Sequence, residues 1–224
     1  MTDFSIEQSF EGLVIGLDEV GRGPLAGPVV SCGCIFYDYD KLSSPIPITD
    51  SKKLSSKKRK ELVSYFTKLQ KEKLLKFYLG LATVKEIDEL NILEATKLSM
   101  KRVIDKFEEK HISIIIDGNF SLEYKNLNEK SIIGGDKKSI SIAAASIIAK
   151  VYRDRLMSFL DVKFPMYGWK KNAGYGTKQH IDSINTTGIT LFHRKTFQQW
   201  LPTWLRSSLR PRNHYHGSFE RAKR

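Results

Sequence analysis

Cysteine is nearly absent: of 224 residues only Cys32 and Cys34 carry a thiol. That excludes a disulfide framework and points to a reducing, cytoplasmic setting. No Cys/His set with zinc spacing exists. No apolar run is long enough to span a bilayer, so a membrane protein is not expected. The opening Met1-Thr2-Asp3-Phe4-Ser5 lacks the basic and apolar regions of a secretory signal. No internal repeat and no Pro-rich or Gly/Ser-rich linker divides the chain, which implies one domain over residues 1–206. Acids are also short: 25 Asp and Glu stand against 37 Lys and Arg, a formal charge of +12. A chain this basic fits a polyanionic partner, nucleic acid before an anionic membrane surface. Residues 207–224 are rich in Arg and Lys and read as a mobile basic tail.

Hydrophobic residues make up 41% of the chain, enough for a packed core. Residues 12–17, 29–37 and 74–82 have strand composition, as do the short runs 112–116 and 131–133. Ser55 or Ser56 is placed to cap a helix reaching about Lys73, with Leu62, Val63, Phe66 and Leu69 as its buried stripe. Periodic leucines predict one long helix over 88–107. An Ala-rich helix is expected over 140–160, closed by Pro165. Residues 171–178 read as a loop, followed by a short helix and a Trp-rich stretch. Trp200 and Trp204 are spaced for a helix–core contact. Cys32 and Cys34 share one strand face and suit core packing.

Four acids stand at element boundaries. Asp18 and Glu19 follow the first strand, Asp117 follows the run 112–116, and Asp136 lies between Gly134-Gly135 and a helix. Strand ends in α/β sheets converge on a crevice. Hard oxygen donors select Mg²⁺ or Mn²⁺, and such acids around two ions make the two-metal site of phosphoryl transfer. The competing reading is ordinary surface pairing with Lys and Arg. Neighbouring side chains on a strand point to opposite faces, so Asp18 and Glu19 share one cluster only where the strand bends or ends. Gly21-Arg22-Gly23 reads either as a loop that approaches a ligand closely or as a tight turn. Asp154 competes with Asp136 as the fourth acid, but its neighbours Arg153 and Arg155 favour ion pairing. A lone His193 is more simply structural.

The run Leu17-Asp18-Glu19-Val20-Gly21-Arg22-Gly23-Pro24-Leu25-Ala26-Gly27-Pro28 resembles the signature of type 2 ribonuclease H, in particular bacterial ribonuclease HII. Further blocks follow in that family's order: Asp50-Ser51-Lys52-Lys53-Leu54-Ser55, Ile116-Asp117-Gly118-Asn119, and Gly135-Asp136-Lys137-Lys138-Ser139. Ala144-Ala145-Ser146 opens the run to Arg155, and Gly174-Tyr175-Gly176-Thr177-Lys178-Gln179-His180 and His193-Arg194 complete the set. The resemblance covers residues 12 to about 205. With the first acid at 18, no room precedes it for the extra N-terminal domain of ribonuclease HIII.

The resemblance implies an α/β fold, a ribonuclease H-like mixed sheet flanked by helices with a small C-terminal helical extension. It implies a monomer that cleaves RNA–DNA hybrids and nicks 5′ of single ribonucleotides in duplex DNA, leaving 3′-hydroxyl and 5′-phosphate ends. Asp18, Glu19, Asp117 and Asp136 match the catalytic, metal-binding acids, holding two Mn²⁺ or Mg²⁺ ions. Gly21, Arg22 and Gly23 match the segment that reads the 2′-hydroxyl, and Tyr175 the tyrosine that stacks on the next sugar. On residue type alone Tyr175 reads as a half-buried core tyrosine. Ser51, Lys52, Lys53, Ser139 and Ser146 complete the expected substrate contacts. The basic run Lys57–Lys60 is more simply a solvated helix face.

Overall fold

The computed structural model describes residues 2–42, 44 and 47–197. Trp200, Trp204 and the expected basic tail lie outside the described residues. Five strands form one sheet in the order β3-β2-β1-β4-β5. They are β1 (Leu13–Val20), β2 (Val29–Phe36), β3 (Leu75–Ala82), β4 (Ile112–Asp117) and β5 (Asn128–Ile132). β1, β2 and β3 form an antiparallel meander, while β4 and β5 run parallel to β1. The sheet is therefore mixed, as expected.

The helices are α1 (Ser56–Lys71), α2 (Val84–Leu90), α3 (Ile92–Ile104), α4 (Ile140–Lys163), α5 (Trp169–Asn172) and α6 (Lys178–Thr187). Period-2 alternation along β1 and β2 divides their side chains between two layers. Cys32, Cys34 and Phe36 meet Leu62 and Phe66 of α1 and the alanines of α4 on one face. Ile15, Leu17 and Ile35 meet Met100, Val103 and Ile104 of α3 on the other. The thiols are free, buried and 4.0 Å apart, packed as expected. Small residues set how closely α4 approaches: a methyl at Gly16 would stand 2.5 Å from the Ser141 backbone.

Several boundaries differ from the sequence reading. β1 does not end at residue 17 but continues through Asp18 and Glu19, because Val20 still pairs with Val30 of β2. The single helix over 88–107 is two helices. Asn91 takes φ 73°, ends α2, and accepts from the Leu93 and Glu94 amides to start α3. Asn tolerates this left-handed geometry better than most residues. Thr83 and Glu86 bond reciprocally and begin α2 earlier than its leucines suggest. Within 171–178, residues 171–172 belong to the short α5.

Beyond α4, a third cluster joins Leu25, Ala26, Met157, Leu160, Tyr167, Trp169 and Ile184. It is the C-terminal helical part, and it packs against the glycine-rich segment that follows β1. Among the described residues no helix is long and apolar enough to cross a membrane.

Candidate active site

Parallel pairing of β1 with β4 places Leu17 opposite Ile116, so Asp18 and Asp117 are the next residues on adjacent strands. Both stand at carboxyl ends, where the sheet changes from parallel to antiparallel neighbours, the place where α/β sheets open a crevice. Asp18 shares its face with Cys32 and α4; its carboxylate accepts the Glu19 amide at 2.6 Å, and the nearby Ser146 hydroxyl favours its charged form. Ser146 in turn lies 3.0 Å from the Ser51 hydroxyl. Asp117 accepts the Gly135 amide at 2.7 Å, which ties the turn carrying Asp136 to the end of β4. Glu19 alternates to the opposite face of β1 and faces Arg22 at 3.4 Å.

Charge connects these acids. Burial, then Glu19 and Asp117, push the Asp18 carboxyl well above the usual range. Glu19 is raised by burial and further by Asp117, with Arg22 opposing. Asp136 is raised by burial, by Asp117 and by Asp50. Glu19 Oε2 is buried with no hydrogen-bond partner. Clustered buried carboxylates with an orphaned oxygen are costly unless a cation offsets them. Hard oxygen donors of this kind fit Mg²⁺ or Mn²⁺. Among the described residues no group of three His, Cys, Asp or Glu side chains is set to hold an ion as it stands. The acids form an open cluster linked through Asp117, not a closed cage.

The glycine-rich loop is held from beneath by two buried arginines. Arg153, on α4, donates to the carbonyls of Pro28, Ala26 and Ala173 at 2.8–3.0 Å. Arg194 donates to Gly27, Arg22 and Gly21 at 2.5–3.0 Å. Burial lowers Arg153 to about 10, and burial with the nearby Arg153 lowers Arg194 to about 9. Gly21 has φ 102°, and a methyl there would stand 2.2 Å from Arg153 Nε, so only glycine fits. Tyr175 is half exposed, and a methyl at Gly23 would stand 3.6 Å from its ring. The loop and Tyr175 thus meet, although the sequence separates them by some 150 residues.

The family described as Ribonuclease HII matches residues 15–200. The chain belongs to the ribonuclease HII family. It is therefore an endoribonuclease acting on RNA–DNA hybrids. Ribonuclease HII of Wolbachia pipientis from Culex pipiens (strain wPip) is 51% identical over 195 residues, 87% of this chain and 95% of that protein. That of Macrococcus caseolyticus is 48% identical, over 86% of this chain and 69% of that protein. Among solved structures, ribonuclease H2 of Pyrococcus horikoshii is 26% identical with a TM-score of 0.69, covering 89% of this chain and 99% of that one.

The remaining ribonuclease HII positions fall into three groups. Lys52 and Lys53 are exposed beside the buried Ser51, on a turn where Asp50 accepts the Lys52 amide at 2.9 Å. Ser146 is buried against Asp18 and Ser51, so it supports an acid instead of facing outward. Ser139 is not brought to the surface: fully buried, it caps α4 and donates to Glu7 at 2.6 Å. A serine before an apolar helix is an N-cap signal, and here that signal outranks the expected substrate contact.

Asp154 is ion-paired as expected, but with Lys150 at 2.7 Å and Arg59 at 3.9 Å. Its neighbours Arg153 and Arg155 point elsewhere because adjacent helical residues do not face each other. Asp50, Arg153, Arg194 and His180 stand in the motif blocks, but the sequence reading gave them no role at the site. A buried arginine satisfied by carbonyls leaves no periodic mark, and Arg153 hides in a run of charges.

Proposed function

We propose that this ribonuclease HII cuts on the 5′ side of a ribonucleotide, in hybrids and at single ribonucleotides embedded in duplex DNA. The observation that carries this reading is the meeting of Tyr175 with Gly21-Arg22-Gly23, the loop that leaves the end of β1 just after Asp18 and Glu19. A 2′-hydroxyl both donates and accepts hydrogen bonds, so unobstructed backbone at the glycines can read it. The exposed phenol ring suits stacking on the adjoining deoxyribose and would sense the junction where ribose ends.

Asp18, Glu19, Asp117 and Asp136 would hold two Mg²⁺ or Mn²⁺ ions, and the raised carboxyls of Asp18, Glu19 and Asp136 favour that occupancy. Ions held there would supply a water of lowered pKa and an offset for charge on the leaving oxygen. The chain's own part is to fix the acids: the Glu19 amide orients Asp18, the Gly135 amide orients Asp117, and Arg22 restrains Glu19. Lys52 and Lys53 lie outward and suit phosphate contacts that position the strand. A basic groove of about 620 Å³, with Arg59, Lys60, Lys150, Arg155, Lys170 and Lys171 in its walls, extends the positive surface past Ala173. Residues 207–224 would add nonspecific affinity through charge.

Cleavage mapping tests the reading on matched duplexes with none, one or several ribonucleotides. With Mg²⁺ or Mn²⁺ supplied, the single-ribonucleotide duplex is nicked on its 5′ side and the all-DNA duplex stays intact. Cutting of all-DNA at a similar rate would overturn it, and so would an uncut single-ribonucleotide duplex.

A further inference from the structure

His180 and His193 form a buried pair away from the carboxylates, and nothing in the cleavage chemistry uses them. Their neighbours decide where their protons sit. An indole N–H and a backbone N–H can only donate. The Thr190 amide donates to His193 Nδ1 at 2.9 Å, so the His193 proton is on Nε2. Trp169 Nε1 donates to His180 Nε2 at 3.0 Å, so the His180 proton is on Nδ1. His193 Nε2–H then donates to His180 Nε2 across 3.1 Å. His180 Nδ1–H donates to the Tyr175 carbonyl at 2.9 Å. Two obligate donors thus orient the whole relay, from Thr190 through both imidazoles to Tyr175.

The relay ends on the residue that faces the substrate. Tyr175 stands in the connection between α5 and α6, after Ala173 and Gly174, both of which have positive φ. Its amide donates to Asn172 and its carbonyl also accepts the Thr177 amide. The ring itself projects, half exposed, beside Gly23. The backbone anchors therefore govern where the ring stands, and His180 supplies one from a rigid layer. Tyr167 stacks on Trp169 with centroids 5.1 Å apart and packs edge-on against both imidazoles, so the layer has little room to shift.

We infer that His180 is a positioning residue for single-ribonucleotide cleavage, its Nδ1–H fixing the Tyr175 carbonyl so that the ring meets the sugar next to the ribonucleotide. The inference rests on the stacking role of Tyr175 proposed above. Misplacing a positioning group by about 1 Å costs up to about 10²-fold in rate. An uninterrupted hybrid, which offers no deoxyribose at the cut, depends less on that placement.

Two amide substitutions separate positioning from mere packing. The Asn amide stands where imidazole Nδ1 stands, and the Gln amide where Nε2 stands. His180→Asn keeps the bond to Tyr175; His180→Gln keeps a partner for Trp169 and His193 and loses the one to Tyr175. The expected result for His180→Gln is a drop of roughly tenfold or more in kcat/KM on a single-ribonucleotide duplex, with a smaller drop on a long hybrid. His180→Asn should restore most of the single-ribonucleotide rate.

Equal losses for both variants, or losses on both substrates that follow Tm, would overturn the inference. Tyr175→Ala, assayed alongside, separates the layers. If Tyr175→Ala nicks the single ribonucleotide at the full rate, the stacking reading itself fails. If Tyr175→Ala is slow and His180→Gln is not, the relay alone fails. A check without variants comes from histidine ¹⁵N spectra of the unaltered enzyme. They should show His180 protonated on Nδ1 and His193 on Nε2; the opposite tautomers would overturn the relay.

Discussion

The carboxyl ends of β1 and β4 and the layer beneath the glycine-rich loop bury charge in opposite ways. At the strand ends Asp18, Glu19 and Asp136 face one another's charge through Asp117, and Glu19 Oε2 has no partner. Beneath the loop, Arg153 and Arg194 are just as buried, yet each is met by three carbonyls. One region gathers like charge and leaves Glu19 Oε2 without a partner; the other satisfies its charges with carbonyls. Strain concentrates where chemistry needs it, and satisfied networks hold the frame.

Asp18→Asn should break the comparison most visibly. Cleavage at saturating Mg²⁺ falls by about 10³-fold or more, because charge on the reacting phosphate loses its offset. In a chelator the same variant should unfold at a higher temperature than the unaltered chain. A carboxyl held above its ordinary pKa destabilises the fold at neutral pH, and a neutral amide removes that cost. A gain of about 1 kcal/mol corresponds to roughly 2–4 °C. Nicking rates and thermal unfolding check both halves, and a lower Tm would mean that the cluster is not frustrated.

Arg194→Lys tests the satisfied region. A lysine ammonium cannot replace the planar fork that reaches Gly21, Arg22 and Gly27 together. Leaving those carbonyls short of donors should cost about 3 kcal/mol, read by chemical denaturation. Little change in stability would place the loop's rigidity elsewhere.

Acid sharpens the contrast with the smallest effect. Burial lowers both imidazoles, His193 to about 3. A base depressed in the fold contributes stability that is full above its unfolded pKa, near 6.5, and that fades as pH falls toward the folded value. The raised carboxyls respond in the reverse sense, since protonation relieves them. His193→Gln keeps a donor toward His180 and does not titrate. It should lose less stability than the unaltered chain between pH 6.5 and 4.5, by about 1 kcal/mol per pH unit. Parallel unfolding curves at several pH values decide this.

Much of the fold was legible because its signals are local. Of the two candidate caps, Ser55 and Ser56, it is Ser55 that caps α1, accepting the Lys58 amide at 3.3 Å. The apolar runs became β2, β3 and β4 with small shifts. The break at Asn91 was not legible, since leucine periodicity runs through it and only the cap geometry reveals two helices. The acids were legible as boundary residues, but β1 was read as ending at residue 17, whereas pairing with β2 extends it through Val20. Ser139 misled because one serine fits both a substrate contact and a helix cap.

The order of motifs along the chain was enough to assign the family and to single out Asp18, Glu19, Asp117 and Asp136 as the acids proposed to carry the chemistry. Those marks are written in consecutive residues, where glycine, charge and apolar runs act on their neighbours. Tertiary structure alone decided that Asp117 lies beside Asp18, that Arg153 and Arg194 hold the loop carrying Gly21, and that a histidine pair ends on Tyr175. Each of these joins segments far apart in sequence, and such contacts arise from sheet register and layer packing, which no local pattern encodes.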